Sequence, residues 1–259
     1  MPSLTARFAL LCLFVFGGLA SCGSTRTADR RVAAQAIREL SGLVAHPNGK
    51  SLYGVADNGV LVELDLKGRI LKSCKVPGED LEGITWGRNG ELWLLSERNG
   101  HILRFDPKTF ESRGQFSVPL YEEREGRNKS YEGIAFDGKT RIYLVNERPA
   151  VLVILEEKNE RWIVVEERPL PAQRVNDLLL LSDKQGFVLL SRDRGLRLLD
   201  FEGRAQGEWY ALEEINLEGL ALVPNQGLFL ASDQDPAVLI SLNDFSGESA
   251  LISILSKTP

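Results

Sequence analysis

The fold of this chain is decided by residues 81–97, which read LEGITWGRNGELWLLSE. Two short apolar runs flank a turn at Asn89 and Gly90, a pattern typical of two antiparallel strands joined by a hairpin. The opening motif returns as Tyr131-Glu132-Gly133-Ile134 and as Leu217-Glu218-Gly219-Leu220. A motif that recurs in this way indicates internal repeats.

Five segments begin with a version of this motif. One column of the repeat holds Ser41, Glu82, Glu132, Asp177 and Glu218. The intervals are 41, 50, 45 and 41 residues, and 41 residues follow the last start. A period of about 40 to 50 residues is the length of a four-stranded propeller blade. The fourth repeat is degenerate, because Val175-Asn176-Asp177-Leu178 lacks the glycine.

Each repeat continues with a second apolar run about 15 residues further on and then with a third, and each run is short and bounded by turn residues. The residues that close the second runs are Asp57, Glu97, Glu147, Arg192 and Asp233. Helical periodicity is nowhere sustained. The pattern predicts an all-β propeller of five four-stranded blades, with a six-bladed ring as the alternative. Either residues 31–37 or residues 250–256 supply the strand that closes the ring.

The composition fits a folded domain. The 259 residues are 43% hydrophobic and 26% charged, which excludes a disordered chain, a collagen-like chain and a polytopic membrane protein. The formal net charge is −5 and no basic block is present, so we expect no nucleic-acid partner.

The first 38 residues read as a targeting segment. Residues 1–21 have one charge, Arg7, an apolar run too short to span a bilayer, and a small-residue end, as in a secretory signal peptide. Leu19-Ala20-Ser21-Cys22 matches the lipobox of bacterial lipoproteins, which predicts lipidation at Cys22. We therefore predict a signal peptide at 1–21, a lipidated tether at 22–38 and the propeller at 39–259. Position 23 is not Asp, which favours an outer-membrane lipoprotein with its domain in the periplasm.

Propeller geometry predicts where the acidic residues meet. The first strand of each blade is innermost and antiparallel to the second, so the start of the first lies beside the end of the second. We therefore expect one channel mouth to collect eight carboxylates: Glu82, Glu132, Asp177, Glu218, Asp57, Glu97, Glu147 and Asp233.

Such crowding favours a bound divalent cation. Like charges disfavour each other's ionisation, and Ca²⁺ accepts carboxylate oxygens as ligands. Zinc would require imidazole or thiolate, for which the mature chain offers only His46, His101 and Cys74. The alternative is structural, because Arg192 replaces the acid of repeat four and arginines follow other acids, so the carboxylates would pair with guanidinium groups or accept backbone N–H bonds.

The motifs resemble those of a known family, the SdiA-regulated (YjiK/CarP-type) β-propeller proteins of bacterial envelopes. The resemblance covers about residues 39–242 and rests on the residues around Ser41, Glu82, Glu132 and Glu218, and on the turn at residues 96–99. It implies a periplasm-facing propeller linked to calcium response or calcium binding, with no established reaction. The chain departs from the pattern at Asp177.

Two functions remain at this point. The first is a non-enzymatic binding or scaffold module that binds Ca²⁺ or a cationic ligand at the acidic mouth. Its partners would be the membrane, through the lipid anchor, a divalent cation and a periplasmic protein. The second is a metal-dependent hydrolase of the lactonase, esterase or phytase type, in which a divalent ion activates water. We expect the first, because the sequence shows no separate proton acceptor and hence no catalytic residue.

Overall fold

The computed structural model of the chain describes residues 30–33, 37–97, 100–119, 131–182, 185–213 and 216–257. The predicted signal peptide and Cys22 lie outside these ranges. Within them, the strands form five separate four-stranded antiparallel sheets. Each sheet is one blade, which confirms the five-bladed prediction over the six-bladed alternative.

The blades follow the sequence repeats. Blade 1 contains β2 (Leu40–Ala45), β3 (Ser51–Ala56), β4 (Val60–Asp65) and β5 (Ile70–Lys75). Blade 2 contains β6 (Leu81–Trp86), β7 (Leu92–Ser96), β8 (His101–Phe105) and β9 (Ser112–Ser117). Blade 3 contains β10 (Tyr131–Phe136), β11 (Arg141–Asn146), β12 (Val151–Lys158) and β13 (Arg161–Pro169). Blade 4 contains β14 (Asp177–Leu180), β15 (Phe187–Ser191), β16 (Gly195–Leu199) and β17 (Ala205–Tyr210).

Blade 5 shows how the ring closes. It contains β18 (Leu217–Val223), β19 (Gly227–Ser232), β20 (Val238–Leu242) and, as its outer strand, β1 (Arg30–Ala33). The N-terminal strand pairs antiparallel with β20, so the two ends of the folded chain meet in one sheet. Of the two closures that the sequence left open, the N-terminal one is therefore present. The strand lies inside the segment predicted as a tether.

The C-terminal segment is helical. Helix α1 (Glu248–Leu255) lies over blade 4, and it buries Leu251 and Leu255 in the apolar layer between blades 4 and 5. The expectation of a fold without helices was wrong here, because an eight-residue helix with two buried leucines is too short to show a sustained period. No helix in the described part of the chain is long and apolar enough to cross a membrane.

Five apolar clusters hold the ring together, one between each pair of adjacent blades. Side chains alternate along each second strand, so every blade contributes to the clusters on both of its sides. Tyr53, Trp93, Tyr143 and Phe229 occupy one column and lie in four of these clusters. The inner strands β2, β6, β10, β14 and β18 contact one another in a ring around the axis.

Candidate metal centre

A β-bulge at the start of the inner strand positions the acidic column in blades 2, 3 and 5. In these blades, and in blade 1, the antiparallel register shifts around the second residue of the strand. The unpaired residues are Ser41, Glu82, Glu132 and Glu218. A bulge re-aims the side chain of its extra residue. The glutamate of the motif is therefore the residue that the local backbone turns out of the sheet.

The glycine after each bulge lets adjacent inner strands approach closely. A Cβ on Gly83 would lie 2.9 Å from Ile134 Cγ2 and 3.0 Å from the carbonyl oxygen of Glu132 in blade 3. A Cβ on Gly219 would lie 2.8 Å from the carbonyl oxygen of Ser41 in blade 1. In this motif the glutamate projects from the bulge, and the glycine after it allows the inner strands of adjacent blades to pack closely around the axis.

A backbone hydrogen bond joins the two acidic columns. In blades 1, 2 and 5, the residue that follows the second strand donates its N–H to the carbonyl oxygen of the residue directly before the first strand. This bond links Asp57 to Glu39 (3.2 Å), Glu97 to Asp80 (2.9 Å) and Asp233 to Asn216 (2.8 Å). The start of the first strand and the end of the second therefore lie side by side, as propeller geometry predicted.

Three of the predicted carboxylates converge at the axis. One oxygen each from Glu82, Glu132 and Glu218, on blades 2, 3 and 5, lies within 4.8 Å of the other two. Glu82 and Glu218 are only 9% and 8% exposed. We call these three residues the glutamate triad. Glu82 also belongs to a second group with Asp80 and Glu97, whose oxygens lie within 4.8 Å of one another.

Burial and mutual repulsion disfavour ionisation of the triad. Burial, together with the negative charges of Glu132, Asp57 and Glu97, raises the pKa of Glu82 to about 11. Burial and then Glu218 raise the pKa of Glu132 well above its usual range. Burial raises the pKa of Glu218 to about 7, although Arg192 opposes the shift. Protons or a cation must therefore neutralise this site.

Two other predicted acids, Asp57 and Glu147, do not belong to the glutamate triad. Burial raises the pKa of Asp57 to about 6, although its carboxylate accepts a hydrogen bond from the Ser41 hydroxyl. Glu147 forms a salt bridge with Arg174, at 2.5 Å from Nη2 to Oε1. Glu147 still acts electrostatically on Glu132.

Asp177 serves a different purpose. Its strand keeps a regular register, with Asp177 directly opposite Leu190, so no bulge turns the side chain toward the axis. The carboxylate instead accepts hydrogen bonds from the N–H groups of Leu178 (2.8 Å) and, in the next blade, Leu220 (2.9 Å). Asp177 therefore connects blades 4 and 5, which is the structural alternative considered for these acids.

Blade 4 also places a positively charged side chain, that of Arg192, at the mouth. Arg192 occupies the column that holds an acid in the other four blades, and its Nη2 lies 2.5 Å from Glu218 Oε1 and 2.6 Å from Asp233 Oδ2. The structural alternative thus applies to Asp233 and in part to Glu218. Glu82 and Glu132 have only other carboxylates among the leading electrostatic influences on them.

Sequence reasoning missed Asp80. Asp80 stands one residue before the inner strand and outside both acidic columns, so the repeat alignment did not select it. The signal was its position two residues before Glu82, which places its side chain at the same end of the blade. Two asparagines directly precede predicted acids. The Asn176 side chain accepts the N–H of Arg192 at 3.0 Å and also hydrogen-bonds Glu218, whereas the Asn146 amide donates to the Pro149 carbonyl oxygen at 2.8 Å.

Comparisons with known proteins agree with this architecture. The sequence model of the family described as SdiA-regulated matches residues 24–207. No curated protein matches the sequence significantly. The crystal structure of Myxococcus xanthus glutaminyl cyclase is similar at a TM-score of 0.63 and 14% identity, over 83% of this chain and 96% of that chain.

A second solved structure gives the same result. The β-propeller domain of Cps50 (Swd1) from Myceliophteria thermophila is similar at a TM-score of 0.54 and 8% identity, over 83% of this chain and 99% of that chain. At these identities the two structures establish the propeller fold alone.

Proposed function

The chain belongs to the SdiA-regulated family, and from this premise we propose that it is an envelope-anchored propeller lipoprotein whose channel mouth binds a divalent cation, Ca²⁺. It acts as a non-enzymatic binding module that contributes to calcium response, with the membrane and a periplasmic protein as partners. The observation that carries the proposal is the convergence of Glu82, Glu132 and Glu218 within 4.8 Å.

The energetics favour a cation at this position. Three ionised carboxylates at such separations, in a poorly hydrated site, repel one another strongly, and a divalent ion removes the repulsion while it satisfies their oxygens. Without the ion, the raised pKa values mean that the site binds protons instead. Cation binding therefore competes with protonation.

The donor set fits calcium. The glutamate triad offers carboxylate oxygens, and Asp80 and Glu97 offer more around the shared Glu82. Ca²⁺ takes six to eight oxygen ligands in flexible geometries, whereas zinc favours imidazole and thiolate. When bound, the ion would supply positive charge to Glu82 and Glu132, whose leading electrostatic neighbours are all carboxylates.

Calorimetric titration of the full chain, purified in mild detergent, with CaCl₂ tests the proposal. We expect saturable heat and a rise in melting temperature for the wild type, and loss of both in Glu132→Gln, which preserves shape but removes one charge. Glu111→Gln is the matched control, because Glu111 is exposed on a loop between outer strands of blade 2. Absence of binding in the wild type, or equal binding in Glu132→Gln, contradicts the proposal.

The lipid anchor is proposed from the lipobox at Cys22. Mass spectrometry of the membrane-extracted protein should find acyl chains on Cys22, and Cys22→Ser should release the protein from the outer-membrane fraction. One acyl chain alone binds a membrane only marginally, so stable anchoring requires two or more. An unmodified N-terminus upstream of Cys22 would contradict this part of the proposal.

A metal-dependent hydrolase is the second candidate. One observation favours it: the carboxylates of Glu82, Glu132 and Glu218 converge within 4.8 Å, where they could hold a divalent ion that activates water. The similar structure from Myxococcus xanthus is named a glutaminyl cyclase, so an enzyme occurs on this fold. Turnover of lactones or phosphate esters that is lost in EDTA and in Glu132→Gln would favour this candidate.

A further inference from the structure

A cavity of about 480 Å³ opens beside the channel mouth, between blades 4 and 5. Among the described residues, its lining includes three arginines, Arg174, Arg192 and Arg194, and one acidic residue, the exposed Asp193. The size is that of an ordinary small-ligand site. The lining differs from the glutamate triad in the sign of its charge.

Two buried polar groups at this cavity have no hydrogen-bond partner in the described part of the chain. Ser191 is 1% exposed and its hydroxyl is unpaired, and the Nε of Arg192 is buried and unpaired as well. The serines in the same column of other blades differ. The Ser96 hydroxyl bonds Glu79, and the Ser232 hydroxyl accepts the Val238 N–H at 3.0 Å. Buried polar groups are normally paired, so unpaired ones in a cavity wall indicate a missing partner.

The arginines present donors that the protein itself does not fully use. Arg192 binds Glu218 and Asp233 through Nη2, and its Nε has no partner. Arg174 uses Nε and Nη2 on Glu147. The Arg194 guanidinium lies 5.8 Å from the ring centroid of Trp209, and no salt bridge joins it to a carboxylate among the described residues. A ligand that accepts hydrogen bonds and carries negative charge satisfies all of these groups.

We propose that this cavity binds a small oxyanion, the carboxylate or phosphate group of a ligand, through Ser191, Arg192 and Arg194. The oxyanion accepts hydrogen bonds from the Ser191 hydroxyl and Arg192 Nε, and Arg194 supplies charge at the rim. The mouth of the propeller then has two subsites of opposite charge, which Arg192 connects because it also touches Glu218. The oxyanion subsite does not depend on metal in the triad.

Calorimetric titration of the full chain in detergent and EDTA, at constant ionic strength, tests the subsite with two probes, sodium phosphate and sodium acetate. We expect saturable binding of at least one probe, and the better probe identifies the group. Because a hydrogen bond to a charged group contributes about tenfold or more to affinity, Ser191→Ala should weaken binding by about that factor. Arg194→Met removes the positive charge at the rim and should weaken binding as well.

The controls are matched in structure. Arg197 lies over the same Trp209 ring, at 5.4 Å, but outside the cavity lining, so Arg197→Met should leave the affinity unchanged. Ser232→Ala is the control for Ser191→Ala, because Ser232 occupies the same column but lies outside the cavity lining, so its affinity for the probe should not change. The melting temperature of Ser191→Ala should not fall, since the hydroxyl that it loses is unpaired. The proposal is overturned if neither probe binds, if both cavity variants bind like the wild type, or if the control variants lose affinity equally.

Discussion

Replacing Glu82 by glutamine is expected to change how the stability of the metal-free protein depends on pH. Burial and the neighbouring carboxylates raise the pKa of Glu82 from 4.5 to about 11. Between these two values the folded protein keeps a proton on Glu82 that the unfolded chain has released. The free energy of unfolding therefore falls as pH rises through this window, and the contribution of Glu82 is greatest below pH 4.5.

The size of the effect follows from one proton. A difference of one bound proton changes the free energy of unfolding by about 1.36 kcal/mol per pH unit, or about 4 kcal/mol from pH 5 to pH 8. In a domain of this size that corresponds to a decrease of about 8–16 °C in Tm. Glu218, with a pKa of about 7, adds to the decrease up to neutral pH. Glutamine has the shape of glutamic acid but does not titrate, so Glu82→Gln removes the contribution of Glu82 to the pH dependence of the free energy of unfolding.

Thermal unfolding followed by circular dichroism in EDTA, at several pH values from 5 to 8, measures this difference. We expect a shallower pH dependence for Glu82→Gln and a Tm above that of the wild type at pH 8. Glu111→Gln should follow the wild type, because Glu111 is exposed and outside the mouth. Parallel curves for Glu82→Gln and the wild type, or a less stable variant at pH 8, would refute the reasoning.

Three further predictions concern the ring and the ion. Gly83→Ala should destabilise the protein by about 1–3 kcal/mol in urea unfolding, because its Cβ would overlap Ile134 and the backbone of blade 3. Gly247→Ala meets nothing within 4 Å and should cost less, since only the preference for glycine over alanine at the N-cap of α1 is lost. Equal effects would contradict the packing argument. Asp177→Ala should lower the free energy of unfolding by about 1–3 kcal/mol for each buried N–H left without an acceptor, including that of Leu220. An unchanged urea midpoint would contradict the conclusion that Asp177 connects blades 4 and 5. Ca²⁺ binding should release protons, so its calorimetric heat should vary with the ionisation enthalpy of the buffer; identical heats in phosphate-free buffers of different enthalpy would count against it.

Most of the fold followed from the repeat. The glutamate–glycine motif at Glu82, Glu132 and Glu218 marks a bulge at the axis, and a bulge of this kind is a local property of the sequence. The closure of the ring could not be predicted from local sequence, because β1 pairs with β20, a strand about 200 residues away along the chain. No short-range pattern distinguishes that pairing from closure by residues 250–256, which the structure shows as helix α1.

The site was predicted in part. The repeat alignment brought Glu82, Glu132 and Glu218 together, as the structure does. It also equated Asp177 with them, although the missing glycine removes the bulge and the side chain faces the seam between blades 4 and 5. An alignment fixes which residues share a column, but the direction of each side chain depends on the local register.

The ion pairs of Arg192 could not be assigned in detail from the sequence. Its substitution for an acid was visible, yet the choice of Glu218 and Asp233 as partners depends on the geometry across the gap between blades. The unpaired hydroxyl of Ser191 was equally invisible, because Ser96 and Ser232 carry the same residue type with bonded hydroxyls.

A crystal structure of the full chain grown with CaCl₂ tests the metal centre most directly. We predict an ion at the axis with carboxylate oxygens of Glu82, Glu132 and Glu218 as ligands, at the roughly 2.3–2.6 Å typical of calcium. An axis that holds no ion at saturating calcium, with the three side chains hydrogen-bonded to one another as carboxylic acids, would contradict the account.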